Sequence, residues 1–182
     1  MGPSQEEREP GPGLLRASAA FALLPVMVAG VVPWLLSRAG AGALPSSSAA
    51  WLLALPGLAV LVASVVSFHR RGKGTLAPWD PPQRLVVQDL YRFNRNPMYV
   101  GVALIVLAWA LATGSPWNWA WAFVVPLAFH LRVVRYEEPE MRRLFGASWE
   151  HYAREVPRWG VRARAYRSPS EAPGEAPGEP PS

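Results

Sequence analysis

The fold is decided by residues 96–129, NPMYVGVALIVLAWALATGSPWNWAWAFVVPLAF, a run of 34 residues without a charged side chain. Its middle contains Thr113-Gly114-Ser115-Pro116, a combination of residues typical of a turn. The run therefore predicts two helices that fold back on each other, near 98–113 and 117–135. Each uncharged half has about 15 residues, or roughly 23 Å, which is short against a hydrocarbon core of about 30 Å. Either the helices continue past the flanking charges, or the hairpin does not cross completely.

Two further uncharged runs precede this hairpin, at 17–37 and 39–68. A membrane-spanning helix needs about 20 apolar residues, so each run is long enough for one span. We therefore predict an integral membrane protein of the all-α class. It should have about four transmembrane helices, a C-terminal helical hairpin and short cytoplasmic helices. The first two spans are expected over roughly 15–37 and 49–68.

The distribution of cationic residues predicts the orientation. Residues 69–97 carry five arginines and one lysine, and the chain after residue 131 carries nine arginines, whereas the loops at 39–48 and 114–116 carry none. Cytoplasmic loops are enriched in such residues. We therefore expect both termini in the cytoplasm, and a bacterial inner membrane as the location.

The chain is expected to divide into five consecutive parts. They are a disordered N terminus (1–13), two transmembrane helices (14–68), a cytoplasmic loop (69–97), the hairpin with a cytoplasmic segment after it (98–160) and a disordered tail rich in Pro, Gly and Glu (161–182). Within the fourth part, Pro139 suits the first turn of a short helix and Gly146 suits its end. Ser148 can cap a second short helix that runs to about Glu155.

Composition excludes several other classes of protein. The net charge of +5 does not indicate nucleic-acid binding, because the arginines flank apolar runs and form no separate basic domain. The chain has no cysteine, which excludes disulfides and thiolate metal sites. Its three histidines are widely separated in the sequence, so no metal site is predicted. The expected surroundings are membrane lipids.

Polar and charged residues gather at both ends of the predicted hairpin, with Arg92, Arg95, Asn96 and Tyr99 at one end and Glu137-Glu138 at the other. Taken singly, each fits an ordinary role as a cationic anchor, an interfacial aromatic or a helix end. A hairpin, however, returns to the side from which it started. The two groups should therefore meet at one cytoplasmic mouth, which predicts a functional site there.

The motifs in this region resemble those of the isoprenylcysteine carboxyl methyltransferase family and the related phospholipid methyltransferases, over roughly residues 50–160. Residues 91–101, YRFNRNPMYVG, are similar to the family pattern Tyr-Arg-x-x-Arg-His/Asn-Pro-x-Tyr-x-Gly. Glu137-Glu138-Pro139 and Val156-Pro157-Arg158-Trp159 match further on. One departure is Asp89-Leu90, which occupies the places of a Gly-Pro pair in the family.

The resemblance implies methyl transfer from S-adenosylmethionine to a lipophilic acceptor (a carboxylate, thiol or amine) within the membrane. Arginine can hold the carboxylate of such a cofactor, and glutamates can accept hydrogen bonds from its ammonium and ribose hydroxyls. The implied cofactor-binding residues are Tyr91, Arg92, Arg95, Asn96, Pro97, Tyr99, Gly101, Glu137 and Glu138. The implied catalytic candidates are Glu138 or His130 as a general base, and Arg158 to orient an anionic acceptor.

Two alternatives remain at this point. Sterol reductases have a similar segment and hairpin, so the chain could be a membrane reductase that uses NADPH. The adjacent Glu137 and Glu138 argue against that alternative, because the phosphates of a pyridine nucleotide need additional cationic groups. The second alternative is a membrane protein that keeps the fold without catalysing a reaction.

Overall fold

The computed structural model describes residues 23–40, 44–72 and 85–168. All regular elements in these ranges are helical, which confirms the all-α prediction. The main helices are α1 (Leu23–Ala39), α2 (Trp51–Gly72), α3 (Pro97–Thr113), α4 (Pro116–Arg132) and α5 (Glu138–Glu155). Shorter elements are the 3-10 turns Ser48–Ala50 and Asp89–Arg92 and the π-helical turns Met27–Val31, inside α1, and Val133–Glu137.

Several sequence predictions concern residues outside the described ranges. These are the disordered N terminus at 1–13, the start of the first span, residues 73–84 of the cytoplasmic loop and residues 169–182 of the tail. The described part of α1 ends two residues beyond the predicted first span. The five-part division of the chain therefore stays a prediction over these segments.

One segment among the described residues is long and apolar enough to cross a membrane, Ser48–Ser67, with a mean hydropathy of 2.3. Only 11% of it is buried, so its apolar side chains point outward, unlike those of a core helix in a soluble protein. Helices α1 and α3 are shorter apolar helices. These features support a membrane-associated protein. The topology of four spans stays a prediction.

The predicted hairpin turn is present between α3 and α4. Helix α3 ends at Thr113, and Gly114 adopts the left-handed conformation with a φ of 61°. Pro116 then starts α4, where its missing N–H costs nothing. A side chain at Gly114 would overlap with the backbone carbonyl of Leu44, whose N–H donates to the Gly114 carbonyl at 3.1 Å. Both the backbone angle and the crossing loop therefore require glycine.

Helices α2 and α3 touch backbone to backbone at Gly57 and Gly101. A Cβ atom on Gly101 would lie 2.8 Å from the Gly57 carbonyl oxygen and 2.8 Å from the Leu61 nitrogen. Small residues allow this close approach between helices in membranes. Apolar side chains next to it, including Met98 and Val102, form the buried core. The contact fixes how α3 sits against α2.

Helix α1 widens into its π-helical turn two residues before Pro33. Because Pro33 has no N–H, it cannot bond to the Ala29 carbonyl in α-helical register or to the Val28 carbonyl in π-helical register. Two indole N–H groups of the hairpin donate to these carbonyls instead, at 2.9 Å each: Trp109 to Ala29 and Trp121 to Val28. Unsatisfied carbonyls are costly in an apolar environment, so these bonds fasten α1 to the hairpin.

The second arm of the hairpin continues into α5 through the π-helical turn Val133–Glu137. It thus extends past its flanking charges, one of the two possibilities that the sequence left open. Helix α5 covers both predicted short helices. It kinks at Gly146, where φ is 49° and ψ is −124°, at the position where the sequence predicted an end.

The segment after α5 packs back onto the protein. Tyr166 is only 3% exposed and lies in a cluster with Trp149, Tyr152 and Val156. Residues 161–168 therefore do not belong to the disordered tail that was predicted from residue 161. The bulky aromatic side chain of Tyr166 gives this stretch a buried contact that its polar neighbours do not indicate.

Substitution of Gly101 by alanine is expected to destabilise the fold by about 1–3 kcal/mol, the usual cost of overpacking, because the new methyl group meets backbone atoms of α2. Gly30→Ala is the matched control, since nothing lies within 4 Å of a Cβ atom there. Thermal unfolding of the purified variants in detergent checks both. Equal unfolding temperatures for the two variants would contradict the proposed helix contact.

Candidate functional site

A partly buried ion cluster lies where the two arms of the hairpin end. Arg158 donates two hydrogen bonds to the Glu138 carboxylate, from Nε at 2.6 Å and from Nη2 at 2.7 Å. Arg95 contacts the same carboxylate through Nη1 at 3.0 Å. The side chains of Glu138 and Arg95 are 15% and 11% exposed. Three separate segments thus supply two cations and one anion, which leaves one positive charge in excess.

The charges of this cluster support one another. Burial opposes ionisation of Glu138, but the hydrogen bonds from Arg158 and the charge of Arg95 outweigh it and hold the pKa of Glu138 below its usual range. Burial lowers the pKa of Arg95, against the attraction of Glu138, although an arginine stays protonated in proteins. Glu138 is therefore a carboxylate at neutral pH.

The Arg95 side chain has one donor atom that makes no hydrogen bond with the described residues. Its Nε atom is buried, and no acceptor within hydrogen-bond distance of it is found among the described residues. The guanidinium also lies over the Trp149 ring, 5.7 Å from the ring centre. A buried donor without a partner costs about 1–3 kcal/mol, so an acceptor brought here by a ligand would relieve that cost.

Glu137 makes a second, separate set of contacts. The Tyr99 hydroxyl donates to Glu137, and Arg132 Nε donates to the same oxygen, Oε1, at 2.8 Å. Arg132 and Glu137 are five residues apart, and the π-helical turn between them is what sets residues at this spacing on one face. The two adjacent glutamates therefore serve different partners.

Aromatic rings line the side of this region. The Tyr99 ring stacks on Phe129 with centres 4.3 Å apart, and Trp159 lies 6.4 Å from Tyr99. Trp159 Nε1 donates to His130 Nδ1 at 3.0 Å. An indole nitrogen is a donor only, so His130 Nδ1 must be the acceptor, and the neutral ring carries its proton on Nε2.

Arg158 and Trp159 reach the site because the chain after α5 runs back along the segment before α3. We call residues 157–166 the strap and residues 91–96 the motif segment. Backbone N–H groups donate from Arg95 to the Pro157 carbonyl at 3.0 Å, from Arg162 to Phe93 at 2.9 Å, and from Tyr166 to Arg92 at 3.1 Å. The two segments are therefore antiparallel.

Asn94 is a residue of this site that the sequence did not single out. It is 5% exposed, and its Nδ2 donates to the Gly160 carbonyl at 2.6 Å. Its Oδ1 accepts the backbone N–H of Asn96 at 2.6 Å. Asn94 lies inside the matching motif, but Gly160 is 66 residues away and carries no sequence signal of the contact.

The structure brings most of the predicted site residues into one connected region: Arg95, Asn96, Tyr99, His130, Glu137, Glu138 and Arg158. Tyr91 is buried close to it, and burial and the charge of Glu137 raise its pKa. The backbone carbonyl of Arg92 accepts a hydrogen bond from the N–H of Tyr166 in the strap.

Two predicted cofactor-binding residues, Pro97 and Gly101, have clear structural roles, and their part in cofactor binding stays a prediction. Pro97 is buried as the first residue of α3. Gly101 faces α2, one helical turn farther along, because backbone atoms of α2 fill the space where its side chain would be. The geometry therefore gives both residues a role in forming and packing α3.

The departure at Asp89 has a structural explanation. Asp89 has a φ of 52°, a left-handed conformation that glycine adopts readily and that aspartate tolerates better than most residues. Ser67 Oγ donates to Asp89 Oδ2 at 2.7 Å, which ties the end of α2 to this turn. Asp89 can thus replace the glycine of the family pattern without a change in the backbone.

Fold and site together define a helical, membrane-associated protein with a partly buried ion cluster at the end of a hairpin. A sequence model of the phospholipid methyltransferase family matches residues 50–148, more than half of the chain. The chain belongs to this family, as the motifs indicated. The matched range includes Arg95 and Glu138 but ends before the strap. No solved structure matches the chain significantly.

Acid is expected to destabilise the protein through Glu138. Because its pKa is lower in the folded protein than the unfolded value of about 4.3, the ionised group stabilises the fold fully above that value. This stabilisation is lost as the pH falls through the folded pKa. Glu138→Gln should therefore lower the unfolding temperature at pH 7 and make it depend less on pH between about 5 and 3.

The control is Glu140→Gln, which removes an exposed ion pair with Arg143 from the same helix. It should leave the acid dependence close to that of the wild type, because exposed pairs contribute little. Thermal unfolding over a pH series measures both variants. An acid dependence in Glu138→Gln as steep as that of the wild type would show that Glu138 is not the group responsible.

Proposed function

We propose that this protein is an S-adenosylmethionine-dependent methyltransferase that acts on a lipophilic acceptor in the membrane. The observation that carries the proposal is the partly buried cluster of Arg95, Glu138 and Arg158. It has an excess positive charge, and its Arg95 Nε donor has no acceptor among the described residues. Membership of the phospholipid methyltransferase family supports methyl transfer and favours neither the reductase nor the non-catalytic alternative.

The residues present fit the cofactor. Its carboxylate would accept a hydrogen bond from Arg95 Nε and offset the excess positive charge. Oxygen atoms of Glu137 and Glu138 can accept hydrogen bonds from its ammonium or its ribose hydroxyls. Tyr99 and Trp159 offer aromatic surface for the adenine. When bound, S-adenosylmethionine supplies a methyl group on a positively charged sulfur.

The side chains of the site are arranged to position reactants. Glu138 is held ionised between two arginines, Glu137 accepts bonds from Tyr99 and Arg132, and His130 Nδ1 is occupied by Trp159. Both candidate bases, Glu138 and His130, thus already accept hydrogen bonds from cationic or N–H donors. Catalysis by alignment and exclusion of water is therefore favoured over proton removal.

This arrangement bears on the acceptor. A lipophilic carboxylate is already a nucleophile at neutral pH, and Arg158 could help to orient it. A thiol or an amine would have to reach the site deprotonated, or lose its proton to water. All three remain within the proposal. His130, with its proton on Nε2, could donate a hydrogen bond to a carboxylate or a thiolate, whereas a neutral amine needs its single lone pair for the attack.

We also propose that the hairpin crosses the bilayer, as part of four spans with both termini in the cytoplasm of a bacterial cell. Helix α3 has 17 residues, or about 26 Å, close to the hydrocarbon thickness of about 30 Å. Trp117 and Trp119 are exposed at the turn, where tryptophans mark a membrane interface. The ion cluster lies at the opposite, cytoplasmic end.

Ligand binding tests the proposal directly. S-Adenosylhomocysteine, the demethylated product, should raise the unfolding temperature of the purified protein in detergent, because a ligand that binds only the folded state stabilises it. NADPH should leave that temperature unchanged. If folded protein shows no shift with S-adenosylhomocysteine, the proposal fails; a shift with NADPH would favour a reductase.

Arg95→Lys should weaken S-adenosylhomocysteine binding on the order of tenfold or more, because it keeps the charge but removes the Nε donor and the planar fork. Arg143→Lys serves as the control, since Arg143 is exposed and pairs with Glu140 away from the cluster. Isothermal titration compares the two. Wild-type affinity in Arg95→Lys would remove Arg95 Nε from the proposed cofactor contact.

A further inference from the structure

We propose that Asn94 is a positioning residue that sets both arginines of the ion cluster. The inference rests on the proposed function, since the cluster is the proposed cofactor site. Both polar atoms of the Asn94 side chain are used, Nδ2 on the Gly160 carbonyl and Oδ1 on the Asn96 N–H. With 5% of its surface exposed, the side chain has little competition from water.

The first contact locates Arg158. Residues 157–160 lie beyond the end of α5 and form no helix. Their position depends on the side-chain bonds of Arg158 and Trp159 and on bonds to the motif segment. The bonds to the motif segment are from Arg95 N–H to Pro157, from Asn96 Nδ2 to the Arg158 carbonyl at 3.1 Å, and from Asn94 to Gly160. The Asn94 bond holds the C-terminal end of this stretch, at Gly160, two residues after Arg158.

The second contact locates Arg95. By accepting the Asn96 N–H, Asn94 closes a tight turn around the residue between them. That residue is Arg95, whose side chain leaves this turn to meet Glu138. One amide group therefore fixes the backbone on both sides of the ion cluster, at Arg95 and next to Arg158.

The two contacts require an amide in particular. Asn94 donates from one atom and accepts at the other, and both partners are backbone groups. Aspartate would accept from Asn96 but would set a negative charge against the Gly160 carbonyl, unless the carboxyl group is protonated. Alanine would leave the Asn96 N–H and the Gly160 carbonyl without this partner.

The rest of the strap should remain attached without Asn94. Arg162 and Tyr166 keep their own backbone bonds to the motif segment, and Tyr166 stays packed against Trp149 and Tyr152. The expected effect is therefore local. Residues 157–160 should become mobile and Arg158 should lose its fixed place on Glu138, while the protein remains folded.

The experiment compares Asn94→Ala and Asn94→Asp with Asn118→Ala. Asn118 is a fully buried asparagine at the other end of the hairpin, hydrogen-bonded to Thr113, so its loss should lower stability alone. Isothermal titration with S-adenosylhomocysteine should show affinity reduced on the order of tenfold or more in both Asn94 variants. It should stay at the wild-type level in Asn118→Ala.

Two further measurements distinguish a positioning role of Asn94 from a general effect on stability. Hydrogen exchange in the ligand-free protein should rise at the Arg95 amide, which donates to the strap carbonyl of Pro157, in Asn94→Ala and stay unchanged there in Asn118→Ala. Affinity in Asn94→Asp should recover toward the wild-type value as the pH falls from 8 to 5, as a protonated carboxyl group replaces the amide donor. Asn94→Asp also serves if Asn94→Ala does not fold.

The outcomes separate the two proposals. If wild-type protein does not bind S-adenosylhomocysteine, the proposed function fails. Hydrogen exchange at the Arg95 amide, which bonds to the strap, still tests Asn94 in that case. If wild-type protein binds but the Asn94 variants bind equally well, or Asn118→Ala loses as much affinity, the positioning role of Asn94 is overturned. Exchange that rises equally in both alanine variants also overturns it.

Discussion

The contact between Glu138 and Arg158 joins residues at the two opposite ends of α5. Glu138 begins α5, Arg158 follows its end, and Arg95 brings a third segment to the same carboxylate. Taking three charges partly out of water is expensive, and an apolar cluster of similar volume would often be as stable or more so. Stability therefore does not account for the cluster, whereas the proposed recognition of a charged ligand would. The path of the strap and the orientation of Arg95 both depend on it.

A π-helical turn precedes a proline at two places in the described fold, with different structural results. Each π-helical turn ends two residues before a proline, Pro33 in α1 and Pro139 in α5, where a regular α-helix would crowd the proline ring against a carbonyl. In α1 the bonds lost at the proline are replaced by Trp109 and Trp121. Before α5, the extra residue in the turn shifts the register and sets Glu137 and Glu138 toward different partners.

Local signals in the sequence predicted the parts of the fold that depend on neighbouring residues. The helix expected near 98–113 is Pro97–Thr113, and the turn at Gly114 follows from its residue types. The meeting of both hairpin ends followed from connectivity. The contact of Gly101 with α2 and the contact of Asn94 with Gly160 could not be predicted in this way. Each has a distant backbone group as partner, and a backbone group leaves no periodic signal in the sequence.

The proposed membrane placement explains why so polar a site can serve an apolar acceptor. A lipophilic molecule in the cytoplasmic leaflet holds its polar end at the headgroup level, the depth at which the ion cluster would lie at the end of α3. Its reactive group would then meet the site while the apolar part stays among lipid tails. Near that level a fixed cluster acts in a lower effective dielectric than water, which strengthens its interactions. A rigid arrangement set by the strap then contributes more to alignment than a flexible side chain could.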